Sequence, residues 1–322
     1  MNKIKWGIIG LGKIAAKFCA DLETLKDAEL YAVASRNLQK AEEFAKEHNA
    51  TKAYGSYEEM LKDKDVDVVY IATPHVFHLE NTLLSLSYKK AVLCEKPFAI
   101  NKSQVQKMIA AAKKENVFLM EAMWTQFLPH FESLMEIVES GKYGAIKNIR
   151  ADFGFAPKFD ADGRLFNKAL GGGSLLDIGI YPVFLALSLL GDPRKISATA
   201  SIGKTGVDEE CHITFEYPDN VLAHLHSTVQ KNTPTTADIE LEKATIVVNT
   251  RFHEPSSLTI ISGRKEITKE FGVTTHGYNF EAAHVQKMLK QGRTESDEMT
   301  FEKSLQLIEL LDKVRADIQL EY

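Results

Sequence analysis

The chain predicts a two-part α/β fold. Residues 1–123 read as an N-terminal doubly wound parallel sheet, and residues 124–322 as an α+β part on a large, mostly antiparallel, open-faced sheet. Three observations carry this. Strand-length apolar runs alternate with helix-period segments through the first part, that rhythm stops after Trp124, and residues 196–271 become short β-type segments separated by turn residues such as Pro218-Asp219-Asn220. A length of 322 residues suits two domains. With 44% hydrophobic and 26% charged residues the chain has enough apolar surface to build a core. A net charge of -5 with dispersed Lys and Arg excludes a nucleic-acid footprint. No apolar run reads as long enough for a membrane span, so a membrane is not an expected partner and a cytoplasmic location is expected. The three cysteines, Cys19, Cys94 and Cys211, are odd in number and far apart, which predicts reduced core thiols.

Taken in order, strands are expected near Ile4, Leu30, Ala53, 67–71, 91–93 and 117–120, with helices between them. Pro129 opens a helix over 129–140. A strand follows over 146–155, then a loop to Leu170, and Gly171-Gly172-Gly173 introduces a strongly apolar helix. Strands are expected over 197–202, 212–215, 223–229, 239–241, 245–248 and 258–261, and helices over 281–290 and 301–318 close the chain. Such a sheet has one face for helices and a second for a partner subunit, so a homodimer is expected.

Gly10-Leu11-Gly12-Lys13-Ile14-Ala15 lies between a buried strand and a helix with Ile14, Phe18 and Leu22 at helical spacing. That is where a G-x-G-x-x-A pattern acts as a dinucleotide cradle. Gly10 makes the tight turn, Gly12 lets backbone approach a pyrophosphate, and Ala15 lets helix and strand pack closely. The second strand ends in Ser35-Arg36-Asn37, with no acid for a ribose 2′-hydroxyl. A hydroxyl and a guanidinium suit a 2′-phosphate, so NADP is expected over NAD, with NAD still possible.

Ligand groups in such a fold gather at the carboxyl ends of strands, where this chain places Ala72-Thr73-Pro74, Glu95-Lys96-Pro97 and Glu121. His78, near a helix start beside that crevice, joins Gly10, Leu11, Gly12, Lys13, Ile14, Ser35, Arg36, Ala72, Thr73, Pro74, Glu95, Lys96 and Glu121 in the expected cofactor set. Pro97 holds Lys96 extended, which aims its side chain. Asp177 and Tyr181 stand four apart on one face of the apolar helix, behind a glycine run expected to let backbone approach the cofactor. With Lys96 they suggest acid/base chemistry on an alcohol: Tyr181 as general acid/base, Lys96 orienting the oxygen, Asp177 holding a diol or positioning the pair. A phenol starts near pKa ~10. An ammonium about 4 Å away contributes roughly 4 kcal/mol at an effective dielectric near 20, enough to bring it toward a working range. Trp124 and Phe153 are expected to wall an apolar substrate pocket. His224 and His226 share a strand face without a carboxylate or cysteine at ligand spacing, so no metal site is expected.

These residues resemble the oxidoreductases grouped with glucose–fructose oxidoreductase and inositol dehydrogenase, over nearly the whole chain. The glycine motif, Ala72-Thr73-Pro74, Glu95-Lys96-Pro97 and the helix carrying Asp177 and Tyr181 carry the likeness. Glu121-Ala122-Met123-Trp124-Thr125 and Asp177-Ile178-Gly179-Ile180-Tyr181-Pro182 look most like the dimeric dihydrodiol dehydrogenase branch, which includes NADP-linked sugar dehydrogenases. The resemblance implies a Rossmann domain, a second domain whose open sheet dimerises, Lys96 with Tyr181 as catalytic pair, and Arg164 as a cofactor contact. Gln126 departs from the arginine common in that branch. The reaction implied is hydride transfer between NADP and a secondary alcohol of a cyclic diol or sugar. An inositol or other sugar dehydrogenase or keto-sugar reductase is the alternative among enzymes, and a cofactor-binding sensor the alternative outside them.

Overall fold

The computed structural model describes residues 3–322. The chain divides into two compact units, one taking residues up to Trp124 together with Thr274–Leu305, the other Thr125–Val273 with Gln306–Tyr322.

The first unit holds a six-stranded parallel sheet of β1 (Ile4–Ile9), β2 (Ala28–Ala34), β3 (Lys52–Tyr54), β4 (Val68–Ile71), β5 (Ala91–Glu95) and β6 (Leu119–Ala122) in the order β3-β2-β1-β4-β5-β6. The order reverses between β1 and β4, which opens the crevice where such sheets bind ligands. α1 (Lys13–Leu22), α2 (Leu38–Glu47), α3 (Tyr57–Lys62), α4 (His78–Ser87) and α5 (Lys102–Glu115) make the crossovers. Their starts are chemically marked: Asn37, Ser56 and Asn101 accept hydrogen bonds from the backbone N–H groups of Lys40, Glu59 and Gln104. α1 buries Ala15, Phe18, Cys19 and Leu22. Phe18 stacks on Tyr70 at 3.9 Å between centroids and tilts against Trp6 at 5.3 Å. Each such fully buried large ring contributes about 1.5–3 kcal/mol.

A single cut at residue 123 does not describe this chain, because 274–305 returns to the first unit. Asp21, buried in the last turn of α1, accepts hydrogen bonds from the backbone N–H of His276 (3.0 Å) and Tyr278 (2.8 Å). Those bonds anchor the start of the helix Tyr278–Lys290, which packs against α1. An isolated buried carboxylate is costly, and the returning segment supplies its donors.

In the second unit α6 (Pro129–Glu139) precedes β7 (Ile146–Gly154), and α7 (Ile180–Leu190) precedes β8 (Lys195–Ile202), β9 (Asp208–Glu216), β10 (Leu222–Thr228), β11 (Ala237–Leu241), β12 (Thr245–Val248), β13 (Leu258–Ser262) and β14 (Lys265–Lys269). The remaining helices, α8 (Tyr278–Lys290) and α9 (Phe301–Asp317), follow. The sheet order is β14-β13-β12-β11-β7-β10-β9-β8, antiparallel except for the β7–β10 pair. β14 extends it beyond the expected strands; all five of its residues are exposed, and its lysines suit a sheet edge. α7 packs on β7 and β10. The stretch Lys168–Leu190 reaches a mean hydropathy of 1.8, longer and more apolar than the sequence reading allowed, and 83% of that window is buried inside the protein. That burial makes it a core helix. The three cysteines are free and buried, as expected, and burial raises their thiol pKa values, Cys19 to about 12.

Candidate active site

The expected residues divide between the two units. In the first, β1 ends at Gly10, which sits at φ +92°; a Cβ there would lie 2.5 Å from the carbonyl carbon of Ala72. Only glycine allows that approach. At Gly12 a Cβ would meet nothing within 4 Å, so the space over the start of α1 is open. No side chain caps α1 and no acid occupies its first turn. Gly12, Lys13 and Ile14 are exposed, whereas Leu11 is buried and offers only its backbone. Uncapped N–H groups facing open space fit an anionic pyrophosphate. At the tip of β2, the Ser35 hydroxyl accepts from Asn37 N–H at 3.2 Å and Arg36 is exposed.

The loops after β4, β5 and β6 are tied together by buried polar groups. His78 is fully buried, with Nδ1 2.8 Å from the Pro97 carbonyl and Nε2 2.8 Å from the Thr73 carbonyl. Burial lowers its pKa, while the two carbonyls, which accept only from a ring N–H, raise it, and the ring bridges the two loops. His78 thereby positions the Thr73 and Pro97 loops. Asn81 adds a 3.1 Å bond to the Thr73 hydroxyl. Glu121 is held inside likewise. It lies within β6, is 2% exposed, and accepts from Phe98 N–H at 2.9 Å. Burial raises its carboxyl pKa to about 7, opposed by the Ser304 hydroxyl and the Phe98 amide. Glu95 accepts a short hydrogen bond from the Tyr70 hydroxyl. These bonds fix the strand end from which Lys96 projects, half-buried, before a cis peptide bond to Pro97. Trp124 is walled on one side by Tyr278, parallel within 7° at 4.3 Å.

In the second unit Asp177 and Tyr181 stand on one apolar helical run, whose first turn, Leu175–Gly179, is wound as a π-helix before α7. Such turns recur at functional sites. Asp208 holds its start, accepting from Leu175 N–H at 2.6 Å and from the Ser174 hydroxyl at 2.8 Å. Burial raises the Asp208 pKa to about 6, opposed by those donors. Gly173, at φ +118°, leaves no room for a Cβ against the Asp208 carboxylate. Gly172 and Gly173 serve turn formation and close packing inside this unit.

Arg164 donates to both Asp177 oxygens, Nη1 at 2.7 Å and Nη2 at 3.2 Å. Its side chain is 48% exposed, so the pair orients Asp177 more than it stabilises the fold. Tyr181 is 6% exposed. Its ring centroid lies 5.8 Å from Phe153 and 4.9 Å from His253, and those two rings stack at 4.0 Å. The loop carrying His253 is held by Thr125, whose hydroxyl donates to the His253 carbonyl at 2.7 Å, and by His130 at 2.9 Å from the Phe252 carbonyl. Sequence reasoning missed His253, Asp208, Tyr278 and Tyr70, since none stands in a recognisable spacing with Lys96 or Tyr181.

Two family models match this architecture: an oxidoreductase family with NAD-binding Rossmann fold over residues 4–123, and a Gfo/Idh/MocA C-terminal domain over residues 131–247. The trans-1,2-dihydrobenzene-1,2-diol dehydrogenase of Mus musculus is 38% identical over 331 residues, covering 99% of this chain and 98% of the relative. The chain belongs to the Gfo/Idh/MocA oxidoreductase family. The Homo sapiens enzyme of the same name is 36% identical over 329 residues, covering 99% of this chain and 98% of its own. Among solved structures, a 3-ketoreductase from Actinomadura kijaniata in complex with NADP and TDP-benzene superposes with TM-score 0.88 at 25% identity, over 98% of each chain. An aldose-aldose oxidoreductase from Caulobacter crescentus reaches TM-score 0.90 at 22% identity, covering 99% of this chain and 98% of its own, and shares the fold. As a member of this family the protein is a dehydrogenase or reductase that uses a nicotinamide cofactor.

Proposed function

We propose that this oxidoreductase uses NADP(H) and acts on a secondary alcohol of a cyclic vicinal diol or a sugar, with Lys96, Tyr181 and Asp177 as its catalytic residues. The observation that carries the reading is the setting of Tyr181: a buried phenol beside Phe153 and His253, four residues from a carboxylate fixed by Arg164. An aromatic wall next to one acid/base group suits a cyclic carbinol.

Gly10, Leu11, Gly12, Lys13 and Ile14 would hold the pyrophosphate on the open start of α1. Ser35 and Arg36 would take the 2′-phosphate. Ala72, Thr73, Pro74, Glu95, Lys96 and Arg164 complete the cofactor set, and Trp124 and Phe153 wall the substrate. The nicotinamide supplies or accepts the hydride when bound. The Tyr181 hydroxyl oxygen takes the carbinol proton as the carbon loses its hydride, and returns it in reduction. The Lys96 ammonium favours the phenolate and polarises the substrate oxygen. Asp177, oriented by Arg164, accepts from a neighbouring substrate hydroxyl.

The similarity to dihydrodiol dehydrogenases supports the diol, and the NADP-bound ketoreductase supports both the cofactor and a reductive direction. A homodimer through the second sheet belongs to the same proposal, supported by the exposed Ser197, His224 and Arg150, which lie in one register row across β8, β10 and β7. So does a cytoplasmic location, supported by three free thiols. Light scattering at micromolar concentration tests the dimer; a monomer mass contradicts it. Absorbance assays of NADP⁺ and NAD⁺ reduction against cyclic diols, aldoses and inositols test the chemistry. Faster turnover with NADP⁺ and at least one diol or sugar supports it. Equal rates with both cofactors overturn the NADP assignment, and silence in both directions with cofactor bound overturns the reaction.

A further inference from the structure

Three side chains with metal-ligand chemistry converge on the outward side of the second sheet. His212 of β9 and His226 of β10 are directly opposed in the antiparallel register, and Glu210 lies two residues before His212 on the same side of its strand. The imidazoles stack at 4.3 Å with 10° between planes. His226 Nε2 lies 2.8 Å and His212 Nε2 3.6 Å from the same Glu210 oxygen, and one ligand atom from each residue falls within 4.8 Å of the others. Two His and one carboxylate, borne on paired strands of fixed register, form a three-ligand set of the kind that takes zinc-class ions with a fourth position open. We propose that Glu210, His212 and His226 bind one such divalent cation.

The surrounding charges both compete for and attract a cation. Lys231 Nζ is 2.7 Å from the same Glu210 oxygen, so the carboxylate already receives a cation there. The Lys231 side chain is 58% exposed and is free to swing into solvent when a dication replaces it. Asp152 of β7 lies in register with His226 and adds a second negative charge, while its oxygens accept from Thr235 and Thr236 N–H. On the other side His212 faces Thr199 of β8, an uncharged neighbour. None of these residues belongs to the proposed catalytic or cofactor sets, so the inference stands apart from the reaction.

Titration of the full-length, chelator-treated protein with Zn²⁺ and Co²⁺ tests it. Expected are one equivalent per chain and a visible Co²⁺ spectrum of nitrogen and oxygen ligands without thiolate charge transfer. Substitutions His212→Asn and His226→Gln should each weaken binding at least about tenfold, the scale that even outer-shell partners command. Lys231→Met should tighten it, and circular dichroism checks that each variant folds. Absence of stoichiometric binding, a thiolate spectrum, or affinity unchanged in both histidine variants would overturn the proposal.

Discussion

The two units assemble their chemical groups in opposite ways. In the first, the groups sit on consecutive residues at strand ends: Gly10 to Ile14 after β1, Ala72 to Pro74 after β4, Glu95 to Pro97 where β5 ends. A parallel sheet delivers all its carboxyl ends to one edge, so local sequence suffices to place them. In the second, Tyr181 from α7 meets Phe153 from β7 and His253 from the loop after β12, and Glu210 meets His226 through strand register. There the partners are distant in sequence. Chemistry gathered by crossovers is readable as motifs, whereas chemistry gathered by antiparallel pairing becomes visible only in the folded chain.

The largest expected effect tests whether one reaction draws on both units. Tyr181→Phe and Lys96→Met should each lower turnover by about 10²–10⁴-fold while cofactor affinity changes little. Near-normal steady-state rates in both would detach the second unit's phenol from the chemistry.

The next separates buried carboxyls in the two units. Glu121 is raised from 4.5 to about 7 and Asp208 from 3.8 to about 6. In each window the folded state holds a proton that the unfolded chain has released. Stability is therefore full below the unfolded pKa and falls as pH rises through the folded one. Thermal unfolding from pH 4 to 8 should show this decline, and Glu121→Gln should remove a part on the order of 3 kcal/mol. An unchanged slope in that variant would mean that Glu121 titrates normally in the fold.

Gly10→Ala should destabilise the first unit by about 1–3 kcal/mol, since the added Cβ meets the Ala72 backbone at a positive φ. Gly12→Ala should leave unfolding unchanged and weaken cofactor binding, measured by fluorescence titration. Equal effects on both properties would erase the distinction between a turn glycine and an approach glycine. Smallest is the cofactor preference: Arg36→Ala should reduce the ratio of NADP to NAD efficiency roughly tenfold, the worth of a hydrogen bond to a charged group. An unaltered ratio would remove Arg36 from 2′-phosphate recognition.

The same contrast explains what the sequence discloses. The strand–glycine–helix opening and the Glu95-Lys96-Pro97 strand end are legible because glycine and proline act on their own backbone. His78 and Glu121 stand beside the crevice, as their positions in the sequence imply. Burial, which no single position announces, turns both inward as clamps. The return of 274–305 to the first unit depends on Asp21 needing donors, a demand set by packing. The cluster of Glu210, His212 and His226 draws on two paired strands, which spacing along either strand alone does not disclose.

The most direct test of the account is label transfer in a single turnover. The enzyme with bound NADP⁺ is mixed with a cyclic diol deuterated at the carbinol carbon, and the cofactor is analysed by mass spectrometry. Deuterium appearing in the reduced nicotinamide, undiluted by solvent protons, and lost in Tyr181→Phe is the expected result. Unlabelled cofactor from wild-type protein that binds both ligands would contradict it.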